Sequence, residues 1–205
     1  MIAIVDYGMG NVRSLQNAFE YLGSDVILTS DPKLLQAAER IVLPGVGAFG
    51  DAMAAIRGRQ LESVLTHLAL ELKKPMLGIC LGMQLFAKNS VEHGEHRGLG
   101  WINAEIQRLD VQRPLKVPHV GWNDLHFPAD DWLFKGIRPG QANFYFVHSF
   151  HMVCHQPGDR IATTDYGAPV TAVVRSGNLV AAQFHPEKSQ DNGLKMLKNW
   201  VAWNP

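Results

Sequence analysis

The sequence predicts an α/β fold: one domain over residues 1–205, with a mostly parallel central sheet, antiparallel strands at its edge and helices on both faces. Three observations lead there. Over the first ninety positions, short apolar runs alternate with stretches of helical spacing, the pattern of a parallel sheet covered by helices. From Gly98 to Val174 the apolar runs are short and joined by turns rich in Gly, Pro, Asn and Asp, as antiparallel strands are. A last apolar run, residues 179–184, leads into a helical end.

Element by element, residues 2–5 read as the first strand, followed by the glycine-bearing turn Asp6-Tyr7-Gly8-Met9-Gly10-Asn11. Val12, Leu15, Phe19 and Leu22 then recur at spacings of three and four, and Gly23 supplies a stop, which predicts a helix. Residues 25–28 predict strand two, 32–38 a short helix, and 41–43 strand three, which ends in Pro44-Gly45-Val46-Gly47. Residues 51–72 read as one helical stretch with Leu61, Val64, Leu65 and Leu68 on one face. Strand four is expected at 75–79, with a helix over 81–88. In the second half, 117–122, 143–148 and 171–174 predict antiparallel edge strands, and 192–201 the last helix.

Composition excludes several classes. Lys plus Arg and Asp plus Glu number 19 each, so no basic excess points to nucleic acid. No apolar run reaches the roughly 18 residues that span a bilayer. The start, Met1-Ile2-Ala3-Ile4-Val5-Asp6, lacks the features of a secretory signal. The two cysteines, Cys80 and Cys154, make no disulfide framework, and the expectation is a cytoplasmic protein.

The segment Leu77-Gly78-Ile79-Cys80-Leu81-Gly82-Met83-Gln84 carries the most chemistry. A strand runs straight into a helix, and the corner residue has glycines two positions to either side, the pattern of a nucleophile elbow with cysteine for serine. The helix start points its partial positive charge and its N–H groups at the sulfur and at any oxyanion formed there. A buried, inert thiol is the commoner fate of a lone cysteine; the two glycines and a suitable base reverse that reading. The base is His185, at the end of an apolar strand, with Glu187 two residues on. In an extended chain these project to one side, so Glu187 can hold one imidazole nitrogen while the other meets the thiol. His119, His148, His151 and His155 have no carboxylate at that spacing, and His93 with Glu95 follows no apolar strand. A zinc site from His148, His151, Cys154 and His155 fails on alternation, and Gly8-Met9-Gly10 lacks the third glycine of a dinucleotide loop and the lysine of a P-loop. No metal and no cofactor is expected.

Together, Gly78–Gln84 and His185-Pro186-Glu187 resemble the class I glutamine amidotransferases of the triad type. Four further segments, Asp6–Asn11, Pro44–Gly47, Pro118-His119-Val120-Gly121-Trp122-Asn123 and Tyr145-Phe146-Val147-His148-Ser149, resemble the glutaminase subunits of imidazole glycerol phosphate synthases. The resemblance implies a flavodoxin-like sheet, glutamine as substrate, and Cys80, His185 and Glu187 as catalytic residues. It also implies ammonia transfer to a barrel-type cyclase subunit in a heterodimer of histidine biosynthesis. Gly45 and Gly47 would serve the oxyanion loop, their freedom letting an N–H turn towards the thioester oxygen. Gln84, one helical turn beyond Cys80, can reach the polar end of the glutamine, with the backbone of His148 and Ser149. Asn11, Trp122, Asn123 and Lys188 match the subunits' barrel-facing positions. Phe150 stands where a tyrosine is expected. Two alternatives remain: a paralogous glutaminase that feeds another synthetase, and an inactive binding scaffold.

Overall fold

The computed structural model describes all 205 residues. Five parallel strands form the centre of the main sheet: β1 (Ile2–Val5), β2 (Val26–Thr29), β3 (Arg40–Leu43), β4 (Met76–Ile79) and, after the insertion described below, the late strand β13 (Leu179–Ala182). Their order, β2-β1-β3-β4-β13, is the flavodoxin-like one, with the order reversing between β1 and β3. Successive residues of a strand face opposite sides, and the core divides accordingly. Ala3, Val5, Ile41, Leu43, Met76 and Ala181 belong to one cluster. Ile2, Ile4, Val42, Leu77, Ile79 and Val180 belong to the other.

Helices cover both clusters. Leu15 and Phe19 of α1 (Val12–Tyr21) pack on the second with Met196, Leu197 and Trp200 of the C-terminal helix α6 (Gln190–Ala202). The first lies under α2 (Pro32–Ala37), α3 (Phe49–Gly58), α4 (Leu61–Thr66) and the short α5 (Leu81–Leu85). No helix is long and apolar enough to cross a membrane.

Two helical expectations need correction. Residues 51–72 are not one helix: the chain breaks at Gln60, whose φ of 58° is left-handed, and a π-helical turn, His67–Glu71, closes the stretch. The break re-aims the chain so that Leu61, Leu65 and Leu68 all become buried. The helix after Cys80 stops at Leu85 rather than Lys88, because Phe86 and Ala87 donate to carbonyls only three residues back and the N–H of Lys88 turns to Ala104.

The edge is antiparallel as expected: β11 (Arg160–Asp165) and β12 (Pro169–Ser176) extend the sheet beyond β13. The other strands of that region do not join it. β8 (His119–Asp124) and β9 (Asn143–His148) form their own ribbon. Phe144 and Phe146 bring that ribbon down onto Phe184, with ring centroids 4.2 and 5.6 Å away, so it forms a layer over the sheet face. A further four-stranded sheet joins β10 (Phe150–Cys154) and β7 (Ala104–Arg108) to the two-residue strands β5 (Asn89–Ser90) and β6 (His96–Arg97).

Candidate active site

Four connections meet at the carboxyl edge of the parallel strands, the edge where such sheets bind ligands: the turns after β1, β3, β4 and β13. Cys80 is the corner between β4 and α5. Its φ of 54° and ψ of −112° put a non-glycine residue in a strained conformation that the surrounding packing must hold. The two flanking glycines are required for close approach. A Cβ on Gly82 would lie 1.9 Å from the carbonyl oxygen of Leu43, and one on Gly78 2.9 Å from the oxygen of Gly82. The backbone N–H of Cys80 donates to Ala182 at 2.8 Å, tying the elbow to β13 and so to His185.

His185 and Glu187 are brought together, but not by an extended chain. Pro186–Lys188 is a turn of 3₁₀ helix, and across it Nδ1 of His185 meets Oε1 of Glu187 at 2.9 Å. The turn is held by Ser189, whose hydroxyl donates to the carbonyl of His185 at 2.6 Å and accepts from the N–H of Tyr145 at 3.0 Å. Burial pulls the His185 imidazole down, but its hydrogen bonds to the Cys80 thiol and to Glu187, with their charges, outweigh this and raise it to about 9. The Sγ of Cys80 has two further polar neighbours, the Val147 carbonyl at 3.8 Å and Nε2 of Gln183 at 3.9 Å.

Beside the sulfur opens a cleft of about 350 Å³, lined among others by Cys80, His185, Gly47, Gln84, Glu92 and Ser149. Gln84 is a buried wall residue: both amide hydrogens are taken, by the Phe150 carbonyl at 2.9 Å and Oε1 of Gln183 at 3.0 Å. What it has left for a ligand is its own carbonyl, an acceptor. Gly47, with φ of 105°, lies on the rim. Gly45 lies beneath the cleft rather than on it, where a Cβ would meet the Tyr7 hydroxyl at 2.6 Å and the Gly82 nitrogen at 2.9 Å. The Tyr7 hydroxyl donates to Pro44 O at 2.7 Å and so anchors the root of this loop.

His148 and Ser149 both line the cleft. The His148 ring is buried, bonded to His119 and to the Phe150 carbonyl. Lys188 is an exposed residue of the cleft rim and Trp122 is 45% exposed beside Tyr145, whereas Asn123 turns its amide inward to Asp165 O at 2.9 Å. Asn11 accepts from the Ser14 hydroxyl at 3.1 Å. The four positions expected to face a partner therefore differ: Trp122 and Lys188 are open, while the side chains of Asn11 and Asn123 are engaged within the chain. His148, His151, Cys154 and His155 fall on two strands of different sheets and beyond, and no three His, Cys, Asp or Glu side chains are grouped to hold a metal ion.

Sequence reasoning passed over Glu92, Gln183 and Ser189. Glu92 lines the cleft while one carboxylate oxygen accepts from the N–H of Phe49 at 2.7 Å. It lies in a polar stretch whose strands are two residues long, and no pattern marks it.

The chain resembles known proteins along its whole length. The model of the family "Glutamine amidotransferase class-I" matches residues 3–203. The chain is 46% identical over 209 residues to imidazole glycerol phosphate synthase subunit HisH 2 of Nitrobacter winogradskyi, covering 100% of this chain and 99% of that one. It is 44% identical over 213 residues to subunit HisH of Rhodospirillum rubrum, with coverage of 100% and 99%. A crystal structure of a glutamine amidotransferase superposes with a TM-score of 0.71 at 22% identity, covering 98% of this chain and all of the other.

Proposed function

The chain belongs to the class-I glutamine amidotransferase family, and from that premise we propose that Cys80, His185 and Glu187 hydrolyse glutamine to supply ammonia to a synthase partner. The observation that carries the reading is the placement of His185 between Glu187, at 2.9 Å, and the Cys80 thiol on the wall of the cleft. His185 takes the thiol proton, and the sulfur attacks the side-chain amide carbon of glutamine. Collapse of the tetrahedral intermediate breaks the C–N bond as the imidazolium returns that proton to the leaving nitrogen, releasing ammonia. Water, deprotonated by His185, then cleaves the γ-glutamyl thioester to glutamate and restores the thiol. Glu187 holds Nδ1–H and the charge that forms on the ring.

Around this chemistry, the Glu92 carboxylate and the Gln84 carbonyl are acceptors suited to the α-ammonium group of glutamine, and the N–H groups of the loop 44–47 and of the start of α5 suit the oxyanion. The likeness to two imidazole glycerol phosphate synthase subunits supports a barrel-type cyclase as the partner, in histidine biosynthesis. Asn11, Trp122, Asn123 and Lys188 are the positions that would face it, and of these the side chains of Trp122 and Lys188 are the open ones. The test is ammonia release from glutamine by the purified chain, with and without such a cyclase, for wild type and Cys80→Ala. Wild-type release that is stimulated by the cyclase and abolished in the variant is expected. Undiminished release by Cys80→Ala would refute the nucleophile, and stimulation only by another synthetase would reassign the partner.

A further inference from the structure

A chain of polar contacts, buried at its centre, runs along the inner face of the β8–β9 ribbon to the substrate cleft. His119 and His148 are directly cross-strand partners, and Nδ1 of His119 lies 3.0 Å from Nε2 of His148. On one side, Nδ1 of His148 lies 2.9 Å from the carbonyl oxygen of Phe150. On the other, Nε2 of His119 lies 3.4 Å from Nδ2 of Asn123. Both rings are buried, and His119 is stacked between Phe146 and Tyr166 at 4.8 and 3.9 Å.

The two ends dictate where every proton stands. A carbonyl oxygen only accepts, so His148 must carry its proton on Nδ1, which leaves Nε2 as an acceptor and makes Nδ1–H of His119 the donor. At the far end, the Asn123 carbonyl oxygen accepts from the N–H of Asp124 at 2.9 Å and its Nδ2 donates to Asp165 O at 2.9 Å. That fixes the amide, makes Nδ2 the donor, and requires an acceptor at Nε2 of His119. The assignments from the two ends agree. Each ring is neutral with both nitrogens used, which fits burial pulling His119 down to about 4 and His148 to about 3. The imidazolium of His185 also faces His148 and opposes its protonation, as would a charge on His151 or His119.

We propose that Asn123, His119 and His148 are positioning residues that fix His148 as the Nδ1–H tautomer and so hold the Phe150 carbonyl, and through it Gln84, in place for the substrate. The Phe150 carbonyl accepts from both His148 and Gln84, so its orientation is shared between the relay and the cleft wall. Gln84 continues to Gln183 and thence to the sulfur of Cys80. An imidazole free in water favours the other tautomer; here the relay reverses that choice. The proposal rests on the glutaminase reading for its kinetic test but not for its spectroscopic one.

In the full chain labelled with ¹⁵N-histidine, both His119 and His148 should show Nδ1–H and an unprotonated Nε2 at neutral pH. His119→Phe keeps an aromatic ring between Phe146 and Tyr166 but removes the donor to His148. It should raise KM for glutamine about five- to ten-fold, the scale of a lost buried hydrogen bond, with kcat within about three-fold. His119→Asn returns an amide nitrogen near the position of Nδ1 and should bring KM most of the way back. A proton on Nε2 of His148 in the wild type, an unchanged KM in His119→Phe, or failure of His119→Asn to restore it would each overturn the relay. If His119→Phe does not fold, the wild-type tautomers and the KM of His119→Asn decide. If the wild type releases no ammonia from glutamine even with the cyclase present, the functional reading fails and the tautomers alone judge the relay.

Discussion

Nδ1 of His185 donates to Oε1 of Glu187 across 2.9 Å, and the two side chains are only 4% and 2% exposed. A hydrogen bond so withdrawn from water holds the ring in one tautomer and one orientation. Glu187→Gln keeps the shape and removes the charge that balances the imidazolium. Turnover of glutamine should fall by about 10²- to 10⁴-fold, the usual worth of a positioned acid–base group, with KM little changed. Steady-state kinetics that show a KM effect alone would assign Glu187 to binding instead.

The same pair gives stability a pH dependence. His185 is raised above its ordinary 6.5 to about 9, so its contribution is complete below about 6.5 and is lost as pH rises through about 9. The melting temperature of wild type should exceed that of His185→Asn by on the order of 5 °C near pH 6, and the gap should close towards pH 10. A gap that widens with pH would mean that the folded state holds His185 neutral.

A glutamine-like diazo-ketone should label Cys80 and spare Cys154. The Cys154 thiol is pushed up to about 11, first by burial and then by the charge of Asp159, and thiolate is the reactive form. Peptide mass mapping reads the site. His185→Asn should slow the labelling of Cys80 at neutral pH by about ten-fold or more, since the thiol loses its base.

Gly82→Ala and Gly58→Ala should have opposite signs. A Cβ at Gly82 would collide with the backbone oxygen of Leu43 at 1.9 Å, which no side-chain rotation relieves, whereas nothing lies within 4 Å of one at Gly58. The first should cost about 3 kcal/mol or more and misplace Cys80. The second, in the last residue of α3, should gain about 0.4–1 kcal/mol. Thermal melts measure both.

Legibility in the sequence followed chemistry that is local. Gly78, Cys80 and Gly82 lie within one turn of chain, and so do His185 and Glu187, so residue type and spacing sufficed to name them. Even there the reason differed, since a 3₁₀ turn and not an extended segment joins His185 to Glu187. Glu92 reaches the cleft through tertiary folding alone, and His119 meets His148 only because β8 pairs with β9 in one register. The same limit hid the ribbon's true place: short apolar runs between turns marked β8 and β9 as strands, but not that Phe144 and Phe146 would seat them on the sheet face.

Alone, the chain should hydrolyse glutamine poorly, and a cyclase partner bound to its own ligand should raise the rate by about 10²- to 10³-fold, the worth of one oxyanion donor. Gly47, with φ of 105°, allows the rim loop to turn a peptide N–H at little steric cost. The partner must bind one loop state better than the other for any shift to occur. Turnover measured for the isolated chain, the binary complex and the liganded complex tests this; equal rates in all three would mean a preformed oxyanion site.

The register of β13 beside β4, Leu179 against Met76, bears on how the molecule is born. Gln183 and Cys80, neighbours in the site, stand 103 positions apart along the chain. At about 5–20 residues per second of synthesis, the thiol emerges from the ribosome several seconds before its base does. Through that interval the central sheet lacks its fifth parallel strand, and the thiol lacks the histidine proposed to activate it. Long-range pairing of this kind is also slow to form. On the proposed mechanism glutamine hydrolysis is deferred until β13 and the histidine that follows it have been made, and a polypeptide released before β13 would carry the cysteine without its proposed base.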